Sequence, residues 1–468
     1  MPRIRDRRGR GLFPFQVVGS RFLRQQGRAL LADDMGLGKT VQALTAASAV
    51  GGRVLVVAPA IVLQSGSWEA ERDAWAPGLE LEQVSYSSLH KVGPGRFDTL
   101  VLDEAHRVKN RNAKCTAQVA ELQARSGQVY MLSGTPFPNW ASEMFSLVRL
   151  ARPQDALPGK ELGSYWRWAD EWFGVSPGRH TQYQVGSRLR ACSPACDLRD
   201  PADPCEHYAV FMRANWGDRF LRRTRDEVLL ELPALTQQQV DTPMGARQKA
   251  EYRRMKREFL ADVGEGLTVA ALTSSAQFVA LSRLSTGLSA MPGAEWDLKN
   301  SSKLARLRDD LAERFLDSRG RVSKARPVLV FAWYRETVDA CARVAADLGL
   351  RVAVIHGGVS DGVRREALNG FSTGGVDVLV GSLATLREGV TLTQSDLVVF
   401  VEQAWVPAVN EQAMRRVHRL GQTRPVQALI YHTPGSVDLR RLRVLAAKAD
   451  SQARFLSRST LDALLDPA

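Results

Sequence analysis

The stretch Asp33-Asp-Met-Gly-Leu-Gly-Lys-Thr40 decides how the rest of the chain is read. The apolar run Ala29-Leu30-Leu31-Ala32 leads into it, and an apolar-periodic segment from Val41 to Val50 leads out. Strand, glycine-rich turn and helix in that order make the setting of a phosphate-binding loop. Gly36 and Gly38 let the backbone turn tightly, so that successive N–H groups can point at a phosphate. The helix that follows adds its positive N-terminal end. Lys39 then reaches toward the β- and γ-phosphates, and the Thr40 hydroxyl completes the shell of a Mg²⁺ ion. The general pattern has a glycine where this chain has Asp33, so the match is partial. An ordinary Gly-x-Gly-Lys-Thr turn is the competing reading.

Further along, Leu100-Val-Leu runs into Asp103-Glu104-Ala105-His106. An apolar strand that delivers two acids at its C-terminal end stands where an α/β sheet presents ligands. Asp103 would hold Mg²⁺ through water, and Glu104 would orient and deprotonate the attacking water. His106 would sense the γ-phosphate or couple to the next motif; a solvated acidic turn is the bland alternative. Ser133-Gly134-Thr135-Pro136, with Asn139 and Glu143 behind it, follows another strand end and by itself is a common turn sequence. In the C-terminal half, Gln412 to Gln422 contains Arg416 and Arg419. Three residues apart on a helix, they would project from one face and suit a phosphoryl group that gathers charge in its transition state. A basic solvated helix face fits the same spacing equally well.

The 468 residues are enough for two or three domains with full cores. Strand-like runs alternate with helix-length segments at Arg53 to Ala58, Gln83 to Tyr86, Phe97 to Leu102 and Gln128 to Leu132. The rhythm breaks between about Leu150 and Ser302, where helical patterns such as Ala246 to Val263 prevail. It resumes at Pro327 to Phe331, Arg351 to Ile355, Val376 to Val380, Leu397 to Val401 and Val426 to Tyr431, with a helix over Val409–Arg419. The expected class is α/β: two parallel-sheet lobes with a mainly helical insertion. The expected division is a basic arm over 1–11, lobe one over 12–150, the insertion over 151–300 and lobe two over 301–468.

The formal charge is +13 and arginine far outnumbers lysine, which points to a polyanionic partner, nucleic acid first. No uninterrupted apolar stretch follows the basic N-terminus, and the run from Val54 to Leu63 is too short to span a bilayer. Five cysteines in a chain this long do not make a disulfide framework. The expectation is a soluble cytoplasmic protein of a bacterial or phage-infected cell, associated with the nucleoid.

Gln16, Asp34 to Thr40, Asp103-Glu-Ala-His-Arg-Val-Lys-Asn110, Ser133 to Pro136 and Gln412 to Gln422 occur in the order of the superfamily-two helicase motifs. The whole set resembles the Swi/Snf branch, ATP-dependent translocases of double-stranded DNA. Leu221 to Val228 with Glu231-Leu-Pro233 is similar to that branch's segment linking the lobes. His356-Gly357-Gly358, Arg387 to Leu392 and Glu402 to Pro407 are similar to its second-lobe motifs. Asp33, odd for a general phosphate loop, is usual in this branch. The resemblance implies two RecA-like lobes of the P-loop NTPase kind, with ATP in the cleft between them. ATP would be held by Gln16, Asp34, Met35, Gly36, Leu37, Gly38, Lys39 and Thr40, and by Gly389, Arg416 and Arg419. Gln16 would read the adenine edge, Thr40 and Asp103 would hold Mg²⁺, and Lys39, Asp103, Glu104, Arg416 and Arg419 would carry the hydrolysis. Contacts to duplex DNA, not sequence-specific, would fall near Pro59, Tyr86-Ser87-Ser88, Lys109, Asn110 and Thr391. The span between Ser133 and Val328 is short for a large eukaryotic remodeller, so a compact translocase of bacterial, phage or strand-annealing kind fits better. A strand-separating helicase on DNA or RNA, and a nucleotide-switched scaffold with little turnover, stay as alternatives.

Two features lie outside those motifs. Cys192, Cys196, Cys205 and His207 have the ligand types of a structural Zn²⁺ site at a spacing that matches no common finger; incidental cysteines in a surface loop are the other reading. Trp166, Trp168, Trp172 and Phe173 look like an aromatic platform for nucleic acid, but their spacing is more simply a packed helix face.

Overall fold

The computed structural model describes residues 11–64, 66–152, 165–178, 183–197, 199–228, 233–263, 268–323, 325–386, 392–419, 421–457 and 461. The chain forms two compact units, Met1–Leu230 with Ala447–Ala468, and Glu231–Ala446. Among the described residues no helix is long and apolar enough to cross a membrane.

In the first unit the strands are β1 (Arg28–Leu31), β2 (Arg53–Ala58), β3 (Glu80–Ser85), β4 (Phe97–Asp103) and β5 (Ser126–Leu132). A short antiparallel pair follows, β6 (Val175–Ser176) and β7 (Gln184–Val185), and then β8 (Phe220–Leu221). The main sheet runs β3-β2-β4-β5-β1-β8, every pair parallel. Helices cover both faces, which is why β2 and β4 read as continuous apolar runs and not as alternating ones. Successive residues still go to opposite cores: Val54 and Val56 pack with Leu23, Leu44 and Tyr130, while Leu55 and Val57 pack with Leu100, Met131 and Phe145. Because β4, β5 and β1 are adjacent and parallel, their carboxyl ends bring Asp103, Ser133 and Asp33 to one edge of the sheet.

The second unit repeats the plan. Its strands are β9 (Leu235–Asp241), an antiparallel pair β10 (Leu260–Asp262) and β11 (Thr268–Ala270), then β12 (Val328–Ala332), β13 (Val352–Ile355), β14 (Val378–Ser382), β15 (Leu397–Phe400) and β16 (Val426–His432). The sheet runs β13-β14-β12-β15-β16-β9, again parallel throughout. Its core holds an ion pair, Lys303 Nζ to Asp438 Oδ2 at 2.7 Å, with side chains 0% and 4% exposed. Arg441 adds a second cation to Asp438 at 3.2 Å.

The structure divides the chain differently from the expected 12–150, 151–300 and 301–468. The middle stretch is not one insertion: β8 joins the first sheet, β9 joins the second, and the boundary falls between Leu230 and Glu231. The C-terminal residues of the helix Val437–Phe455 group with the first unit, because Phe455 packs edge-on against Tyr208 and Phe211. The helix starting at Ala246 stops at Glu258, short of Val263, where Phe259 takes a left-handed conformation and β10 begins.

Candidate nucleotide-binding site

Gly36 and Gly38 have φ of 84° and 73°. The dihedral angles are what call for glycine; a Cβ would also lie 2.7 Å from Arg225 Nη2 at Gly36 and 2.5 Å from Gln16 Nε2 at Gly38, so those side-chain tips would have to move. Gly38 caps the helix Lys39–Val50, and Thr40 is that helix's second residue. Lys39 Nζ donates to the carbonyls of Asp33 at 2.7 Å and Asp34 at 3.2 Å, which curls the side chain back over the loop. Burial lowers the Lys39 pKa, and the carboxylates of Glu104, Asp33, Asp34 and Asp103 work against that shift.

Asp103 ends β4. Its Oδ2 accepts from Trp68 Nε1 at 3.2 Å and its Oδ1 from the Glu104 N–H at 3.0 Å. Burial and the adjacent Glu104 raise its pKa to about 7, with Trp68 and Lys39 opposing them. Glu104 itself sits at φ 51°, ψ 51°, a left-handed conformation that is uncommon outside glycine and recurs at functional sites. His106 Nδ1 lies 3.3 Å from Glu104 Oε2 and 3.0 Å from Ser133 Oγ, so the acidic motif and the Ser-Gly-Thr-Pro motif are coupled through one ring.

The loop rests on a brace whose role the sequence reading missed. Arg222 Nη2 donates to Asp34 Oδ1 at 2.9 Å, and Arg222 Nη1 to the carbonyl of Ala32 at 2.9 Å. Arg223 Nε donates to Asp33 Oδ1 at 3.0 Å, and its Nη2 pairs with Asp33 Oδ2. Arg225 Nε donates to the carbonyl of Met35 at 2.6 Å. Gln42, fully buried, holds Asp33 Oδ2 and the carbonyl of Leu37. The residue that departs from the general loop pattern is thus the loop's anchor. Gln16 Nε2 donates to Leu37 O at 3.3 Å, which puts the expected adenine reader directly on the loop.

Arg416 and Arg419 belong to the second unit, and the expected helix over Val409–Arg419 needs correction. The helix is Pro407–Met414; beyond its end Arg416 lies in a hydrogen-bonded turn and Arg419 in a bend. Past Met414 the backbone tightens: the Arg416 N–H donates to Ala413 O and the Val417 N–H to Met414 O, each three residues back and each at 3.2 Å, while the Leu392 N–H donates to Arg416 O at 2.9 Å. Burial lowers the Arg419 pKa. Gly389, Arg387 and Thr391 lie outside the described residues.

The SNF2-related domain model matches residues 16–93 and 81–285, and the helicase conserved C-terminal domain model matches residues 306–421. The chain belongs to the SNF2-related family. Among curated relatives, this SNF2-related chain is 27% identical over 491 positions to the SWI/SNF-related matrix-associated actin-dependent regulator of chromatin subfamily A-like protein 1 of Xenopus tropicalis, covering 97% of the chain and 47% of that protein. It is 26% identical to the human DNA annealing helicase and endonuclease ZRANB3, covering 95% of the chain and 40% of that protein. It thus spans less than half the length of these relatives. A solved Sulfolobus solfataricus SWI2/SNF2 ATPase core in complex with dsDNA aligns over 100% of this chain and 99% of its own, at TM-score 0.40 and 21% identity. The two parallel sheets are the two RecA-like lobes expected of this SNF2-related chain.

Of the residues expected near DNA, Lys109 pairs with Glu143 at 2.7 Å, and Tyr86 is buried with its hydroxyl donating to Asp103 O at 2.8 Å. Pro59 precedes the helix Ala60–Gln64, and the Asn110 side chain accepts from the Asn112 N–H. The tryptophan helix Tyr165–Phe173 turns Trp168 and Phe173 into the core, where Trp168 Nε1 donates to Asn215 Oδ1 at 2.7 Å. Packing therefore explains most of that aromatic cluster; Trp166 alone of the four is exposed, with Arg111 over its ring.

Proposed function

We propose that this SNF2-related protein hydrolyses ATP to move along double-stranded DNA without reading its sequence, remodelling protein-bound or branched DNA. The observation that carries the ATPase half is the convergence of Lys39, Asp103, Glu104 and His106 beyond the carboxyl ends of β1 and β4, the parallel strands on either side of β5. The residues fit the nucleotide and its cation on their own chemistry. Gly36 and Gly38 give the loop the positive-φ turns that let backbone N–H groups face a phosphate, and Thr40 with Asp103 offers the hard oxygen donors that Mg²⁺ takes. Mg²⁺, when bound, would neutralise charge on the β- and γ-phosphates.

Lys39 would exchange the carbonyls of Asp33 and Asp34 for phosphate oxygens. Glu104 would take the proton of the attacking water, oriented by the His106 ring beside it. Arg416 and Arg419 would supply positive charge to the γ-phosphoryl group from the second lobe. The DNA half is supported by the net charge of +13 and by the human relative named as a DNA annealing helicase. Lys39→Ala should lose nucleotide binding. Glu104→Gln should bind a fluorescent ATP analogue as the parent does, yet hydrolyse ATP about 10²–10⁴-fold more slowly. Normal turnover in Glu104→Gln would remove Glu104 from the chemistry and this mechanism with it.

A further inference from the structure

We infer that Cys192, Cys196, Cys205 and His207 form a structural zinc site in the first unit. Their ligand atoms all lie within 4.8 Å of one another, and among the described residues this is the one group of metal-ligating side chains so assembled. Cys192 Sγ is 3.5 Å from Cys205 Sγ and 3.8 Å from His207 Nδ1, and Cys205 Sγ is 3.3 Å from His207 Nδ1. A zinc tetrahedron with Zn–S arms of ~2.3 Å and a Zn–N arm of ~2.0 Å has edges of about 3.5–3.8 Å, so each of the three separations lies within about 0.3 Å of the edge it would form.

The four residues come from three local pieces. Cys192 closes a turn on Leu189, Cys196 sits in the four-residue helix Pro194–Asp197, and Cys205 and His207 open the helix Glu206–Asn215. Between Cys192 and Cys205 that short helix is the only regular element among the described residues, yet Cys192 and Cys205 are 6% and 8% exposed and belong to the core. A segment with so little backbone hydrogen bonding of its own gains most from a metal cross-link. Its surroundings are fixed: Tyr208 stacks edge-on against Phe455, and Arg454 Nη1 donates to Cys196 O at 3.1 Å. All these thiols are free. A Cys192–Cys205 disulfide would use two of the ligands and leave the convergence of Cys196 and His207 without a purpose. The site is closed by four protein ligands, which is the structural and not the catalytic kind.

The test is the metal content of the full chain purified without chelator, by plasma mass spectrometry. One zinc ion per chain is expected. Cys196→Ser and His207→Ala should lose it, His207→Cys should keep it, and Cys115→Ser, outside the cluster, should keep it. Should the loss variants fail to fold, cobalt exchange into the parent chain gives a second readout, a thiolate-to-cobalt charge-transfer band with tetrahedral visible bands. Metal-free chain that also takes up no cobalt would overturn the site, as would a Cys192–Cys205 disulfide in the unreduced mass spectrum. Glu104→Gln should retain full zinc, which separates this result from any failure of the ATPase reading.

Discussion

Asp33 has no solvent exposure, and its carboxylate is shared between Arg223 and Gln42. Asp33→Asn would leave the Arg223 guanidinium, 11% exposed, without its counter-charge. Breaking a buried pair from one side costs about 3–5 kcal/mol, so the variant should melt well below the parent by calorimetry. Adding Arg223→Met to Asp33→Leu should recover much of that loss, because both charges leave together. Equal melting of the parent and Asp33→Asn would show that the pair does not anchor the loop. The sequence marks Asp33 as a departure but not what it binds: Arg223 stands 190 residues later, and no local period connects them. Lys39, Asp103 and Glu104 were legible because their chemistry is written in short contiguous patterns beside apolar strands.

Elements follow the same division between local and remote causes. Interior strands announced themselves as apolar runs, and β4, β5, β12 and β16 lie within about two residues of where those runs place them. Of the edge strands, β13 lies where the run Arg351 to Ile355 places it, but β8 and β9 have no such run. β9 reads Leu-Thr-Gln-Gln-Gln-Val-Asp, mostly exposed, so its place beside β16 comes from pairing and not from burial. The arginine-bearing turn after Met414 has residues that permit helix, but its Arg416 and Val417 N–H groups close three residues back and the Leu392 N–H holds Arg416 O. Gln422, 5% exposed, donates to the carbonyls of Thr393, Ser395 and Val417. Gln422→Leu should cost about 1–3 kcal/mol through unsatisfied buried carbonyls. It should also lower the rate of ATP hydrolysis more than the affinity for nucleotide. Unchanged hydrolysis would mean that the turn holding Arg416 and Arg419 does not depend on this clasp.

For the whole molecule, two parallel-sheet units, a charge of +13 and membership of the SNF2-related family support the proposed nucleotide-driven motor acting on a polyanion. Contacts to phosphates imply that any stimulation by nucleic acid weakens steeply as salt rises. The most direct measurement is the steady-state ATP hydrolysis rate of the full chain alone, then with duplex DNA, single-stranded DNA, forked DNA and RNA. Strong stimulation by duplex DNA, lost in Glu104→Gln, is the predicted result. Stimulation by single strands or RNA in preference to duplex, or by none of them, would contradict it.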